Sequence, residues 1–261
     1  MEKITSRSND KIKVAARLKD DARERKESGL FLIEGVRLCC DAAGSGIEVE
    51  TLFATSDALV RYEKSIGLLE RAASQAYEIT ADVASRISDT KQDQGVFCVC
   101  KMLDKVSDTD KIDINGKYAA LENISDPANL GAAARTAEAL GMSGLIVAAG
   151  CDIYNPKAQR ASMGSLLRLP VLFTSALPET LEQLKAGGML TVASVPDSSA
   201  CPVTEADFSG GAVCVIGNEG AGITPETAAV CEISVTIPMK GRTESLNASA
   251  AAAILMWEMM K

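Results

Sequence analysis

Five short apolar runs in the second half of this chain set the limits on its fold: YAALE, GLIVA, MLTVAS, AVCVIG and ISVTIP. Each is too short for an ordinary helix and lacks the alternation of a strand with one wet face, so each reads as a strand buried on both sides. Such strands need cover above and below. The stretches between and after them supply it, with helical spacing at 129–141, 157–167, 176–186 and 245–260. Strand and helix in alternation predict a doubly wound, mostly parallel sheet with helices on both faces, spanning 117–261.

The first hundred residues alternate more loosely. LFLIE, VETLFAT, QAYEIT and GVFCVCKML read as strands, and Val36 to Ala43 and Ala58 to Ala73 as helices, which predicts a smaller α/β domain over 1–105. The polar, acidic stretch 106–116 closes on an Asn115-Gly116 turn signal and reads as a linker. The chain carries 27 Lys+Arg against 35 Asp+Glu, a formal net charge of −8, which argues against indiscriminate binding to nucleic acid. Local patches depart from that balance. Residues 1–30 have a net charge of +3 at helical spacing, with Lys11 and Arg17 among the basic positions, and from Ile153 to Pro178 no acidic residue accompanies Lys157, Arg160 and Arg168. A solvated helix face and ordinary surface scatter account for these five residues on one reading, and contact with a folded RNA on the other.

Histidine is absent, so Ser/His/Asp and Cys/His triads, imidazole acid–base catalysis and histidine metal ligands are all excluded. The eight cysteines form no C-x-x-C and read as unreactive thiols of a reducing cytosol, with no metal site. MEKITSRSNDKIK is polar where a signal peptide would place its apolar core, and no run approaches the ~18 apolar residues of a membrane helix. A soluble, cytoplasmic protein with no membrane partner is expected.

Three motifs punctuate the second half. N-I-S-D-P-x-N-x-G-x-x-x-R, at 123–135, leaves a strand end through a polar turn into a helix that carries Asn129 and Arg135. I-G-N-E-G-x-G, at 216–222, runs a buried strand into a glycine loop around Glu219, where backbone approaches a ligand closely. Its G-x-x-G-x-G is neither the dinucleotide fingerprint nor a Walker A loop, which removes a dinucleotide-dependent dehydrogenase from consideration. I-P-M-x-G-x-x-E-S-L-N-x-S, at 237–249, passes from a strand through Gly241 to an Ala-rich helix. Read singly, Asp126 and Asn129 are candidate caps, and Ser245 and Asn247 polar groups at a helix start.

In order, residue type and spacing the three strings resemble the SpoU-type (TrmH-like) RNA ribose methyltransferases of the SPOUT superfamily, as does the intervening NPKAQRASMGSLLRLP at 155–170. The string F-L-I-E-G, Phe31 to Gly35, resembles the small substrate-binding domain of the ribosomal-RNA members. The resemblance implies a deep trefoil knot in the C-terminal domain, S-adenosylmethionine as methyl donor, and a homodimer. By it, Gly217, Ile237 and Leu246 line the cofactor pocket, with Met239 and Gly220 nearby. Arg135 takes the position of the catalytic arginine, while Asn129, Glu219, Ser245 and Asn247 match the other active-site positions. The expected activity is 2′-O-methylation of RNA and not DNA, with 23S ribosomal RNA placed ahead of tRNA because of the extra domain. The alternatives are a tRNA 2′-O-methyltransferase, and a non-catalytic RNA-binding or ribosome-assembly protein on the same scaffold.

Overall fold

Eight of the described helices begin where the sequence offers a short polar side chain to the first free amides, whereas those that begin at Val36, Glu63 and Leu177 start without a side-chain cap. The computed structural model describes residues 1–103, 112–243 and 245–261. Within them Asn9, Asp21, Thr55, Thr80, Asp126, Asn155, Thr224 and Asn247 each accept a hydrogen bond from a backbone N–H in the first turn of a helix. The described residues form two compact units, one of residues up to 103 with 152–168 and one of 112–151 with 169–261. The sequence reading runs its second domain unbroken from 117, whereas 152–168 packs with the first unit. Of the linker read at 106–116, residues 106–111 lie outside the described residues, as does Glu244 of the third motif.

The first unit contains β1 (Glu2–Ile4), α1 (Asp10–Asp20), α2 (Ala22–Ser28), β2 (Leu30–Glu34), α3 (Val36–Gly44), β3 (Val49–Thr55), α4 (Ser56–Arg61), α5 (Glu63–Ala72), β4 (Ala73–Ile79), α6 (Ala81–Ile87) and β5 (Val96–Lys101). Its sheet has the order β1-β4-β3-β5-β2, with β5 antiparallel to both neighbours. One face buries Leu32, Phe53, Phe97 and Val99 under α1 and α6, through Ile12, Leu18, Val83 and Ile87.

The chain continues with β6 (Lys117–Glu122), α7 (Pro127–Leu140), β7 (Gly144–Ala148), then α8 (Pro156–Ser162) and α9 (Ser165–Arg168) of the first unit. The second unit resumes with β8 (Val171–Thr174), α10 (Leu177–Ala186), β9 (Leu190–Ser194), β10 (Cys201–Pro202), β11 (Ala212–Ile216), α11 (Pro225–Val230), β12 (Ile233–Thr236) and α12 (Ala248–Met259). Among the described residues its strands form one sheet in the order β10-β12-β9-β11-β6-β7-β8, and all pairings are parallel. β7 and β11 are buried along their whole length, as their unbroken apolar runs require.

Several elements differ from the sequence reading, each for a local reason. The basic N-terminal stretch is two helices, because Asp21 is extended and caps α2 with its side chain. The helix read over 58–73 is interrupted at Tyr62, which leaves helical geometry at φ −120°, ψ 30°. That read at 157–167 breaks at Met163 and Gly164, both in the left-handed region at φ 51° and 87°. β1, β8, β10, α6 and α11, between 2 and 7 residues long, are too short to show a period.

Arg25, one of the basic residues within 1–30, is 2% exposed. Its Nε donates to Asp152 Oδ2 at 2.7 Å, and its Nη1 to the carbonyls of Leu18 and Lys19 at 2.6 and 3.2 Å. A buried guanidinium is tolerated only with such partners, and removing it leaves Asp152 and two carbonyls unpaired. Arg25→Ala is therefore expected to lower unfolding stability by about 3 kcal/mol in chemical denaturation. A loss within the scatter of surface substitutions would contradict this account.

Candidate active site

In the second unit the chain builds outward from β6 to β7 and β8, then crosses to β9 on the other side and returns to place β11 between β9 and β6. In a doubly wound sheet that reversal opens a crevice beyond the carboxyl ends of the strands. The loops after β6 and β11 meet there. Asn123 adopts a positive φ of 55°, and its carbonyl accepts from Asn218 Nδ2 at 2.8 Å. Asn218 Oδ1 accepts in turn from the amides of Gly220 and Ala221 at 2.9 and 3.1 Å, while Asn218 and Gly222 exchange backbone bonds at 3.0 and 2.9 Å. This folds the loop so tightly that a Cβ on Gly217 would lie 2.1 Å from the Gly222 carbonyl carbon. Glu122, buried at the end of β6, fixes the far end of the loop by accepting from Thr224 N and Oγ1 at 2.8 Å each and from Thr227 Oγ1 at 2.6 Å.

Glu219 joins the two loops. Its carboxylate accepts from Asn129 Nδ2 at 2.8 Å and Ser125 Oγ at 2.9 Å, with the Ser125 and Asp126 amides at 3.4 and 3.5 Å. Asn247 extends the chain by donating Nδ2 to Asn129 Oδ1 at 3.0 Å, while its Oδ1 caps α12. The amide of Asn129 is thus held from both sides, as α7 starts under the Asp126 cap and Pro127. Burial acts to raise the Glu219 pKa, but hydrogen bonds from Asn129, its own backbone and Ser125 outweigh it and hold the carboxyl at about 2.

Beside this network lies a cleft of about 560 Å³. Gly217, Gly220, Ile237, Met239 and Leu246 all line it, together with Glu219 and Ser245. Asn129 bonds to Glu219, and Asn247 to Asn129, but neither is among the residues that line the cleft. Arg135 is exposed on α7, outside the lining, and its guanidinium has no hydrogen bond or ion pair among the described residues. Sequence reasoning did not assign Ser194 to Pro196, which also line the cleft, nor the bracing by Ser125 and Glu122. The polar string N-I-S-D-P signals Ser125. Nothing local signals Ser194, because only the strand order brings the end of β9 beside β11.

The five basic residues proposed from sequence for RNA all belong to the first unit. Lys11 donates to Gln75 Oε1 at 2.7 Å and lies 5.1 Å from the Tyr77 ring centroid, and Arg17 approaches Glu24 at 3.6 Å. Arg160 is ion-paired with Asp89 and Arg168 with Asp41, the latter at 3.4 Å. Lys157 is exposed on α8. The acid-free stretch is therefore compensated in space by aspartates that are distant in sequence.

A parallel sheet with a ligand-sized cleft and a polar network at its switch point defines the second unit as an α/β ligand-binding enzyme domain. The chain belongs to the SpoU rRNA methylase family, whose pattern matches residues 116–257, and residues 9–98 match the MRM3-like substrate binding domain. The 23S rRNA (guanosine(2553)-2'-O)-methyltransferase RlmP of Bacillus subtilis is 29% identical over 260 residues, covering 99% of each chain. The 23S rRNA (uridine(2479)-2'-O)-methyltransferase of Streptomyces viridochromogenes is 29% identical over 268 residues, covering 99% of this chain and 92% of that one. The crystal structure of an AdoMet-bound rRNA methyltransferase from Sinorhizobium meliloti superimposes with a TM-score of 0.87 at 27% identity, over 99% of this chain and 97% of that one.

Among the described residues the exposed Glu219 carboxylate meets donors, so Glu219→Gln turns an amide N–H₂ toward some of them and, with solvent screening part of the loss, destabilises the neutral-pH protein by about 0.5–1 kcal/mol. Because the folded pKa is depressed, the carboxylate's contribution is complete above its ordinary value of 4.5 and declines as pH falls from there toward about 2. Denaturation of wild type and variant at pH 7, 4 and 3 should show the gap narrowing with acidity; a gap independent of pH would refute the assignment.

Proposed function

We propose that this protein transfers a methyl group from S-adenosylmethionine to a ribose 2′-hydroxyl of 23S ribosomal RNA. The observation that carries the reading is that Glu219 belongs both to the Asn129–Asn247 network and to the wall of the cleft. The cleft fits the cofactor. Its volume is in the range of small-molecule sites, Ile237, Met239, Leu246 and Leu255 offer apolar surface for a base, and Gly217 brings backbone where no side chain has room. When bound, S-adenosylmethionine supplies a methyl carbon made electrophilic by its sulfonium, so the work left to the protein is to align a weak nucleophile.

Arg135 is the residue for that alignment. Its guanidinium, exposed and without a partner among the described residues, is available to an RNA phosphate and to the 2′-oxygen. An arginine does not surrender its proton at physiological pH, so it stabilises the developing alkoxide and the hydroxyl proton leaves to phosphate or water. Asn129, held between Glu219 and Asn247, fixes the start of the helix that carries Arg135. Ser245, on the cleft wall, orients the ribose.

The small domain, read over 1–105, serves as the RNA-binding part, and two relatives that match over 99% of this chain are enzymes named for 23S rRNA, which favours that substrate over tRNA. We further infer a knotted C-terminal segment and a homodimer. α12 packs on α7, β11 and β6, yet leaves Trp257 56% and Ile254 37% exposed, an apolar outer face suited to a second copy. Ribosomal RNA as substrate places the protein in the cytoplasm.

Arg135→Lys keeps the charge but loses the planar fork, and is expected to cut single-turnover methyl transfer by about a hundredfold or more with unchanged S-adenosylmethionine affinity by calorimetry. Near-normal turnover would overturn the role given to Arg135. Gly217→Ala should abolish cofactor binding, because the added Cβ meets the Gly222 backbone. Mapping 2′-O-methyls in total RNA from cells with and without the gene should show loss at a 23S position; loss confined to tRNA would move the substrate there.

A further inference from the structure

Between the end of β11 at Ile216 and the start of α11 at Pro225 the chain is turn and loop, and Gly217 to Gly220 with Gly222 line the cleft. With glycine at 217, 220 and 222 this segment has more backbone freedom to lose than an ordinary loop, so a surface shaped to a ligand requires both of its ends to be held. One end is held by strand register, Ile216 standing opposite Leu121 of β6. At the other end only the six residues of α11 follow, and the hold comes from Glu122.

Glu122 is 5% exposed and does not line the cleft. Its Oε2 accepts from the Thr224 amide at 2.8 Å, and its Oε1 from Thr224 Oγ1 at 2.8 Å and from the fully buried Thr227 Oγ1 at 2.6 Å. Hydrogen bonds to an ionised acceptor are the strong ones, and these three close the segment between two neighbouring residues, Leu121 by its backbone and Glu122 by its side chain. A glutamine cannot take over the task. Turned one way its Nε2 meets the Thr224 amide, donor against donor; turned the other way it meets the two hydroxyls and removes their acceptor. The carboxylate is therefore required for the shape of the loop, and it sits where nothing bound in the cleft touches it.

We propose that Glu122 is a positioning residue for S-adenosylmethionine, acting through Thr224 and Thr227 to keep the 217–223 loop in its ligand-shaped form before the ligand arrives. The inference rests on the S-adenosylmethionine reading of the cleft given above, and adds a residue that sets cofactor affinity from outside the cleft. A loop held in advance does not have to be ordered by the ligand, so loss of the hold is read in the dissociation constant. With the cofactor saturating, the loop is closed again, and Arg135 on α7 aligns the hydroxyl as before.

The test measures S-adenosylmethionine binding to the full chain by calorimetry. Glu122→Gln should weaken it by about tenfold and Thr224→Val, which removes one donated hydroxyl, by about threefold, whereas Thr224→Ser, which keeps that hydroxyl, should bind as the wild type does. Single-turnover methylation at saturating cofactor should stay within about twofold of wild type in all three, a split that a general loss of stability would not produce. Without ligand, hydrogen exchange of the amides of 218–224 should quicken in Glu122→Gln while those of β6 and β11 keep their wild-type rates. Thr224 is only half-buried, so the Val and Ser pair decides the matter if Glu122→Gln fails to fold. Wild-type affinity in Glu122→Gln or in Thr224→Val, or exchange that quickens equally through β6 and β11, would overturn the proposal alone. A wild-type protein that binds no S-adenosylmethionine would overturn the cofactor reading itself, and the proposal with it.

Discussion

Between Ala212 and Ile216 the backbone of β11 is hydrogen-bonded on one side to β6 and on the other to β9, with both faces covered, and the site depends on this parallel pairing. Ala212 stands opposite Lys117 and Ile216 opposite Leu121, so the two strands end level and their loops emerge together. A slip of one residue would turn the side chains of β11 to the opposite faces of the sheet. From that register follow the Asn218 bond to Asn123, the Glu219 bonds to Ser125 and Asn129, and the Glu122 bonds to Thr224 and Thr227. The site is in this sense the visible end of a strand pairing across about ninety residues.

The first unit is organised by charge as well as by its apolar core. Arg25, Arg160 and Arg168 each meet an aspartate, Asp152, Asp89 and Asp41, that lies far away in the chain. A count along the sequence registers α8 and α9 as a basic surface, whereas two of its arginines are paired in space. Arg37 on α3 has no such partner among the described residues. Free and engaged arginines therefore play different parts, and composition alone does not separate them.

A chain with no histidine and a net charge of −8 looks poorly equipped for catalysis on RNA. The geometry removes the difficulty, because the chemistry asks for alignment and charge stabilisation more than for a titrating base. Glu219, held at about 2, is a permanent carboxylate that braces neutral amides. The thiols are similarly quiet where buried: burial pushes Cys214 and Cys231 up to about 12.

The parallel sheet was legible from five apolar runs, because strands buried on both faces must be apolar at every position, and Asp126 was legible as a cap of α7, whereas α12, read from 245, begins only at Ala248 under the Asn247 cap. The residues of the site were legible through motif order, which names Asn129, Glu219 and Asn247 without saying that they touch. That Glu219 bonds Asn129, that Asn247 caps α12 and grips Asn129 at once, that Ser194 borders the cleft and that Arg160 and Arg168 are paired were decided by tertiary structure alone. Residue type and local spacing fix which side chains can cap, pair or approach. Strand order and long-range register fix which of them meet, and no short stretch of chain carries that information.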